Sequence, residues 1–156
     1  MVNRAPLQFG EPEPDAKYRD RPAAFGVAQK DGQIALACIT REGQAPFYAL
    51  PGGSIEPGES DVRALMREFG EEVGLVIREG RIVTRADQYA RTGDGDAVNN
   101  RCVFFDAEIV GFDPELKIED THELAWLSPE AALRQIRYES HAWAIACWLR
   151  AAAKSA

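Results

Sequence analysis

At 156 residues, 46% of them hydrophobic and 28% charged, the chain is sized for one domain with a self-sufficient core. A net charge of -7 argues against a broad footprint on nucleic acid, which needs Lys and Arg gathered on one face, but allows a small nucleotide bridged by metal ions. The longest apolar runs, residues 34 to 39 and 142 to 149, fall short of the roughly 20 residues that span a bilayer.

The N-terminal stretch carries Arg4 and scattered prolines rather than the apolar run of a signal peptide. Cys38, Cys102 and Cys147 lie far apart in apolar segments, which suits reduced thiols better than a disulfide framework. Both features lead us to expect a cytoplasmic protein. Residues 1 to 21, with Glu11-Pro12-Glu13-Pro14-Asp15 in sequence, read as an arm or irregular segment, and residues 22 to 156 as the domain proper.

Strands are predicted over 23 to 29 and 34 to 40, joined across Asp31-Gly32, a dipeptide that accepts the positive φ angles of a tight hairpin turn. A short strand is expected at 47 to 50. Pro51-Gly52-Gly53 and Pro57-Gly58 break the chain before a helix that Ser60 can cap and Gly74 can end. Further strands follow at 80 to 90, 101 to 110 and 124 to 127, the first two separated by the turn-forming run 92 to 96. Ser128-Pro129-Glu130 opens one C-terminal helix, and Ser140 is placed to cap another that runs through Ala153. Strands mixed with three helices imply a sheet with helices packed on its faces.

The helix from Asp61 to Val73 carries the chemistry. Val62, Leu65, Met66, Phe69 and Val73 recur at helical spacing and form the core-facing stripe. Glu68 and Glu72 sit one turn apart on the flank of that stripe, and Glu71 lies on the outer face beyond Arg67. Acids in the last two turns oppose the helix dipole, at roughly 0.3 to 1 kcal/mol each, and only Arg63 and Arg67 on the same helix answer them. A divalent cation would convert this repulsion into ligation, since hard cations select carboxylate and carbonyl oxygens. Gly52 and Gly53, just upstream, let the backbone come close to a ligand or ion.

Read together, Gly53, Glu59 and Arg67-Glu68-Phe69-Gly70-Glu71-Glu72-Val73-Gly74-Leu75 resemble the Nudix box, the signature of the Nudix hydrolases. Every fixed position matches. With seven specified residues at roughly 7% each, a chance match is on the order of 10⁻⁸ per starting point. The resemblance implies an α/β fold, the Nudix α/β/α sandwich around a mixed β-sheet. It further implies Glu68, Glu71 and Glu72 as carboxylate metal ligands, the Gly52 carbonyl as a backbone ligand, and Mg²⁺ or Mn²⁺ as cofactor. Arg67 would orient the acids, and Glu59 would brace the loop against the helix.

The activity so implied is metal-dependent hydrolysis of a pyrophosphate bond in a nucleoside diphosphate derivative: a nucleoside triphosphate, ADP-ribose or a dinucleoside polyphosphate. Glu68, Arg67 and Glu72 are the catalytic candidates, with Glu123, in the acidic run before Trp126, as the general base from a later loop. Arg41, Tyr48, Tyr89, Arg91 and Phe104 are candidates for gripping phosphate or stacking a base, although aromatic residues on strands are more often core. His122 shows no partner and reads as a surface residue. The competing function is a non-catalytic nucleotide or ADP-ribose binding module on the same fold. Beyond a small nucleotide, no membrane or extended nucleic acid partner is expected, and pairing of two copies through an edge strand or the arm stays open.

Overall fold

The computed structural model describes residues 5–155. In chain order it contains β1 (Leu7–Phe9), β2 (Arg19–Lys30), β3 (Gln33–Ile39), β4 (Phe47–Ala49), β5 (Gly52–Ser54), α1 (Asp61–Val73), β6 (Leu75–Arg91), β7 (Ala97–Phe112), a 3₁₀ turn (Pro114–Leu116), β8 (His122–Leu127), α2 (Pro129–Gln135) and α3 (Glu139–Ser155). The strands order as β1-β6-β7-β2-β3-β4, with β5 paired to β2 and β8 to β3. β1 runs parallel to β6 and β2 parallel to β7, while the other pairs are antiparallel, so the sheet is mixed.

Alternation along the strands divides the core in two, because successive side chains leave a strand on opposite faces. Ala24 and Ala28 of β2, Ala35 and Ala37 of β3, and Val103 and Phe105 of β7 face α1, meeting Leu65, Phe69 and Val73. Ala23, Phe25 and Val27, Ile34 and Leu36, and Cys102 and Phe104 point the other way, toward Ala132 of α2 and Ala144, Ile145 and Trp148 of α3. This is the expected α/β/α sandwich. Gly26 lets α1 lie close: a Cβ there would stand 3.0 Å from the Phe69 ring.

The expected hairpin turn forms at Asp31 and Gly32, with φ of 52° and 77°, and pairs Gln29 with Ile34. β6 begins at Leu75 rather than residue 80, directly after Gly74. Its polar stretch around Gly80 carries register shifts against β7, which obscure the period-two pattern in the sequence. On α1, Met66 is 43% exposed and leaves the predicted core stripe, while Ala64 is fully buried. Ser140 does not cap α3; it is buried within the first turn, its backbone N–H donating to Gln88 Oε1 at 3.0 Å.

The expected boundary at residue 21 falls inside β2, whose residues Arg19 to Arg21 pair with Val98 to Asn100. Leu7–Phe9 adds a strand to β6, so this segment is partly built into the sheet, while most of residues 10 to 18 are irregular. Residues 1 to 4 lie outside the described residues. The missed strands are short or polar, and β1 buries too little for a visible alternation. All three cysteines are free thiols, and no helix among the described residues is long and apolar enough to cross a membrane.

Candidate active site

The helix that carries the acids is capped at both ends as its sequence requires. Ser60 Oγ accepts from the Arg63 N–H at 3.2 Å, and Gly74, at φ 71°, donates its N–H to Gly70 O at 3.0 Å. On this rod Arg67 forms the hub of a carboxylate network. Its Nε and Nη2 donate to the two oxygens of Glu59 at 2.8 and 2.9 Å, its Nη1 to Glu68 Oε1 at 3.0 Å and Glu71 Oε2 at 3.1 Å, and Nη2 also to Ser54 O at 3.0 Å. These hydrogen bonds hold the Glu59 carboxyl down at about 2. The network therefore gives Glu68 and Glu71, which the helix dipole opposes, a counter-charge in Arg67.

Glu72 is different. Only 8% exposed, it accepts from the Gly52 N–H at 3.3 Å and lies 3.5 Å from His122 Nε2. Burial lowers the His122 pKa, so that imidazole is a poor counter-ion. Burial, and next the neighbouring Glu68 charge, push Glu72 well above the usual carboxylate range; Glu68 is raised as well, chiefly by burial. Glycine is required beside both. At Gly52, φ 146°, a Cβ would fall 2.2 Å from Ala24 O, and at Gly53 one would fall 2.7 Å from Glu68 Cδ.

Among the described residues, no three His, Cys, Asp or Glu side chains are gathered in ready geometry for an ion, because Glu71 and Glu68 turn to Arg67 and Glu72 to Gly52. The donor set nonetheless fits a hard divalent cation. It offers desolvated carboxylate oxygens without enough nearby positive charge, next to a backbone left bare by two glycines.

A cleft of about 660 Å³ opens beside these acids. Its lining includes Glu68, Glu72, Glu119 and His122, the arginines Arg19, Arg21, Arg41 and Arg91, and Phe25, Tyr138 and His141. Arg21 is held by Asn100 Oδ1 at 3.0 Å. Glu119 arrives because the backbone N–H groups of Ile118 and Glu119 both donate to Glu71 O, at 2.9 and 3.0 Å, which straps this loop across the end of α1.

Of the predicted contacts, Arg41 and Arg91 do line the cleft, Arg91 while donating to Gly95 O at 2.8 Å and pairing with Glu13. Three others do not. Phe104 is fully buried and stacks on Phe25 at 5.8 Å; Tyr89 packs on Tyr18 at 4.8 Å; Tyr48 packs against the α2–α3 side of the core. Glu123 is also displaced. It is exposed, pairs in register with Cys38, and is absent from the lining, whereas its neighbour His122 faces the acids, as strand alternation dictates. His122 is thus a cleft residue rather than a surface one. Sequence reasoning missed Arg21, Glu119, Tyr138 and His141. For Arg21 the signal was present, since it shares period-two parity with Phe25; for the others it depends on tertiary packing.

The NUDIX domain model matches residues 17–149. The chain belongs to the Nudix family. It is 31% identical over 110 residues to a CTP pyrophosphohydrolase of Escherichia coli, covering 69% of this chain and 76% of the relative. It is 32% identical over 120 residues to an Escherichia coli protein named nucleoside triphosphatase NudI, covering 72% and 84%. Among solved structures, a NUDIX hydrolase from Nitrosomonas europaea superposes with a TM-score of 0.72 at 23% identity, covering 85% of this chain and 90% of that one. A MutT protein from Methanosarcina mazei gives 0.66 at 20% identity, covering 87% and 97%. The Nudix fold expected from the box is thereby established, and this chain is a Nudix hydrolase.

Proposed function

We propose that this Nudix hydrolase cleaves a pyrophosphate bond in a nucleoside triphosphate, with Mg²⁺ or Mn²⁺ held by Glu68, Glu72 and the Gly52 carbonyl, and with Glu71 in the same carboxylate network. The observation that carries this reading is the cleft itself, where arginines and buried carboxylates meet in one space. A polyphosphate is the ligand that needs both. Its oxygens require the guanidinium groups, and its metal counter-ions require the acids. The triphosphate class is favoured over ADP-ribose and dinucleoside polyphosphates because the relatives above 30% identity are named for CTP and nucleoside triphosphates.

In this reading Arg41 and Arg91 grip the phosphate chain at the rim, and Arg21 neutralises charge nearer the box acids. Arg67 holds Glu68 and Glu71 beside the cleft by charge-assisted hydrogen bonds, so that each carboxylate has only to turn from the guanidinium to meet an ion. Glu119, which makes no ion pair among the described residues, replaces Glu123 as the carboxylate able to take the proton of the attacking water. A bound divalent ion would lower the pKa of water and offset charge on the diphosphate oxygens. Phe25 and Tyr138 offer apolar surface to the nucleoside.

The test is a panel of nucleoside triphosphates, ADP-ribose and dinucleoside polyphosphates with Mg²⁺, with products resolved by chromatography. The expected result is a nucleoside monophosphate and pyrophosphate from at least one triphosphate. Tight binding of a nucleotide with no turnover of any compound would replace hydrolysis by a binding function.

A further inference from the structure

We propose that His141, on the first turn of α3, is a positioning residue for the glycine loop of the active site, tying the C-terminal helix to the geometry of Glu68 and Glu72. The basis is the contacts of four consecutive residues, three of them hydrogen-bonded to other elements. Leu50 lies just past the end of β4, so its N–H has no partner strand. It donates instead to His141 Nδ1 at 3.1 Å, across 91 residues of chain. Pro51 follows, its carbonyl accepting from Gly26 at 3.1 Å, and then Gly52 donates to Glu72 Oε2 at 3.3 Å. Gly53 completes the run with its backbone against the Glu68 carboxylate. The segment is thus pinned from three elements, by α3 at Leu50, by β2 at Pro51 and through the β5 pairing, and by α1 at Gly52.

His141 suits this task. A group accepting from an N–H must hold Nδ1 unprotonated, which places the ring proton on Nε2. The ring is 2% exposed and packed among Phe25, Tyr138 and Phe104 at centroid distances of 4.5, 5.2 and 5.5 Å. Burial holds it neutral, with its pKa pushed down to about 3. Leu50 is itself 1% exposed, so water cannot stand in for the imidazole. Without that acceptor, Leu50 would have to swing outward to find one, and Gly52 lies only two residues farther along.

The link to metal rests on the reading of Glu68 and Glu72 given above, so the experiment separates the two. Four proteins are compared: wild type, His141→Phe, which keeps ring volume without an acceptor, His141→Asn, whose Oδ1 takes the place of Nδ1, and Ile145→Ala, which weakens the same helix elsewhere. His141→Met carries the same test if the Phe variant does not fold. In metal-free protein, amide exchange at Gly52 and Gly53 is expected to rise at least tenfold in His141→Phe and to stay near wild type in His141→Asn and Ile145→Ala. Mn²⁺ binding, followed by electron paramagnetic resonance, is expected to weaken at least tenfold in His141→Phe alone. Unchanged exchange at Gly52 in His141→Phe, or an equal rise in Ile145→Ala, would overturn the positioning role. Raised exchange in a protein whose wild type binds no Mn²⁺ would leave the role standing and remove the metal reading instead.

Discussion

Arg67 grips both oxygens of Glu59 across eight residues of sequence, at 2.8 and 2.9 Å, while its remaining N–H groups reach Glu68, Glu71 and Ser54 O. A planar guanidinium can satisfy such divergent acceptors at once, and an ammonium cannot. The loop before α1 and the acids at its end are therefore held by one side chain.

Substituting Arg67 tests this division of labour. Arg67→Lys is expected to lower kcat/KM at least about a hundredfold, nearly as much as Arg67→Ala, because neither keeps the Glu59 fork while reaching the other acids. The side chain is 25% exposed, so screening keeps the stability loss modest, about 1 kcal/mol. Steady-state kinetics beside a denaturant titration separate the two effects. A Lys variant with wild-type kinetics would contradict the fork.

Glu72→Gln should move activity and stability in opposite directions. Turnover is expected to fall at least about a hundredfold, as when a metal ligand is lost. The metal-free variant should be as stable as wild type or more so, because a neutral amide replaces a desolvated carboxylate that stands near Glu68. Thermal melts in a chelator, next to activity in Mg²⁺, provide the check.

The cleft assignments separate residues the sequence had grouped. Arg41→Ala is expected to raise KM about tenfold with a smaller change in kcat, and Glu119→Gln to reduce kcat more than KM. Glu123→Gln and Tyr89→Phe, both outside the lining, should leave both constants within about twofold. A strong kcat effect at Glu123 with none at Glu119 would reverse the assignment of the base.

Gly26→Ala and Gly53→Ala should fail for different reasons. The first adds a methyl 3.0 Å from the rigid Phe69 ring and should cost about 1 to 3 kcal/mol by overpacking. The second meets the Glu68 carboxylate at 2.7 Å, so it should displace that acid and depress turnover beyond its effect on folding. Denaturation midpoints and kinetics of the two variants should therefore rank in opposite order.

Stability should depend on pH through His141. Its folded pKa, about 3, lies below the ordinary value of 6.5, because burial disfavours the charged ring. Its contribution is complete above pH 6.5. As pH falls from there toward 3 the unfolded chain binds a proton that the folded one does not, at a cost of on the order of 1 kcal/mol per pH unit. Urea titrations at pH 7 and pH 5 should show that loss in wild type and a smaller one in His141→Asn.

Much of this was legible in the sequence, where short-range physics was sufficient. The caps at Ser60 and Gly74, the Asp31-Gly32 turn and the acids at helical spacing depend on neighbours within a few residues. What depends on distant chain was not. β1 and the parallel pairing of Arg19 to Arg21 with β7 carry no alternation of their own, and Phe104 could be told from a base-stacking residue only once α3 covered it. Glu119 is in place because the Glu71 carbonyl anchors its loop, and His141 because α3 folds back onto Leu50.

The arginines of the cleft belong to a molecule whose overall charge is -7. Attraction for a polyanion is therefore local, while the net charge of the whole protein repels it, and salt screens both over a Debye length of about 10 Å at 0.1 M. Dilute buffer strengthens both influences together, so the rate of capture should respond only weakly to ionic strength, unlike that of an enzyme with a broadly basic surface.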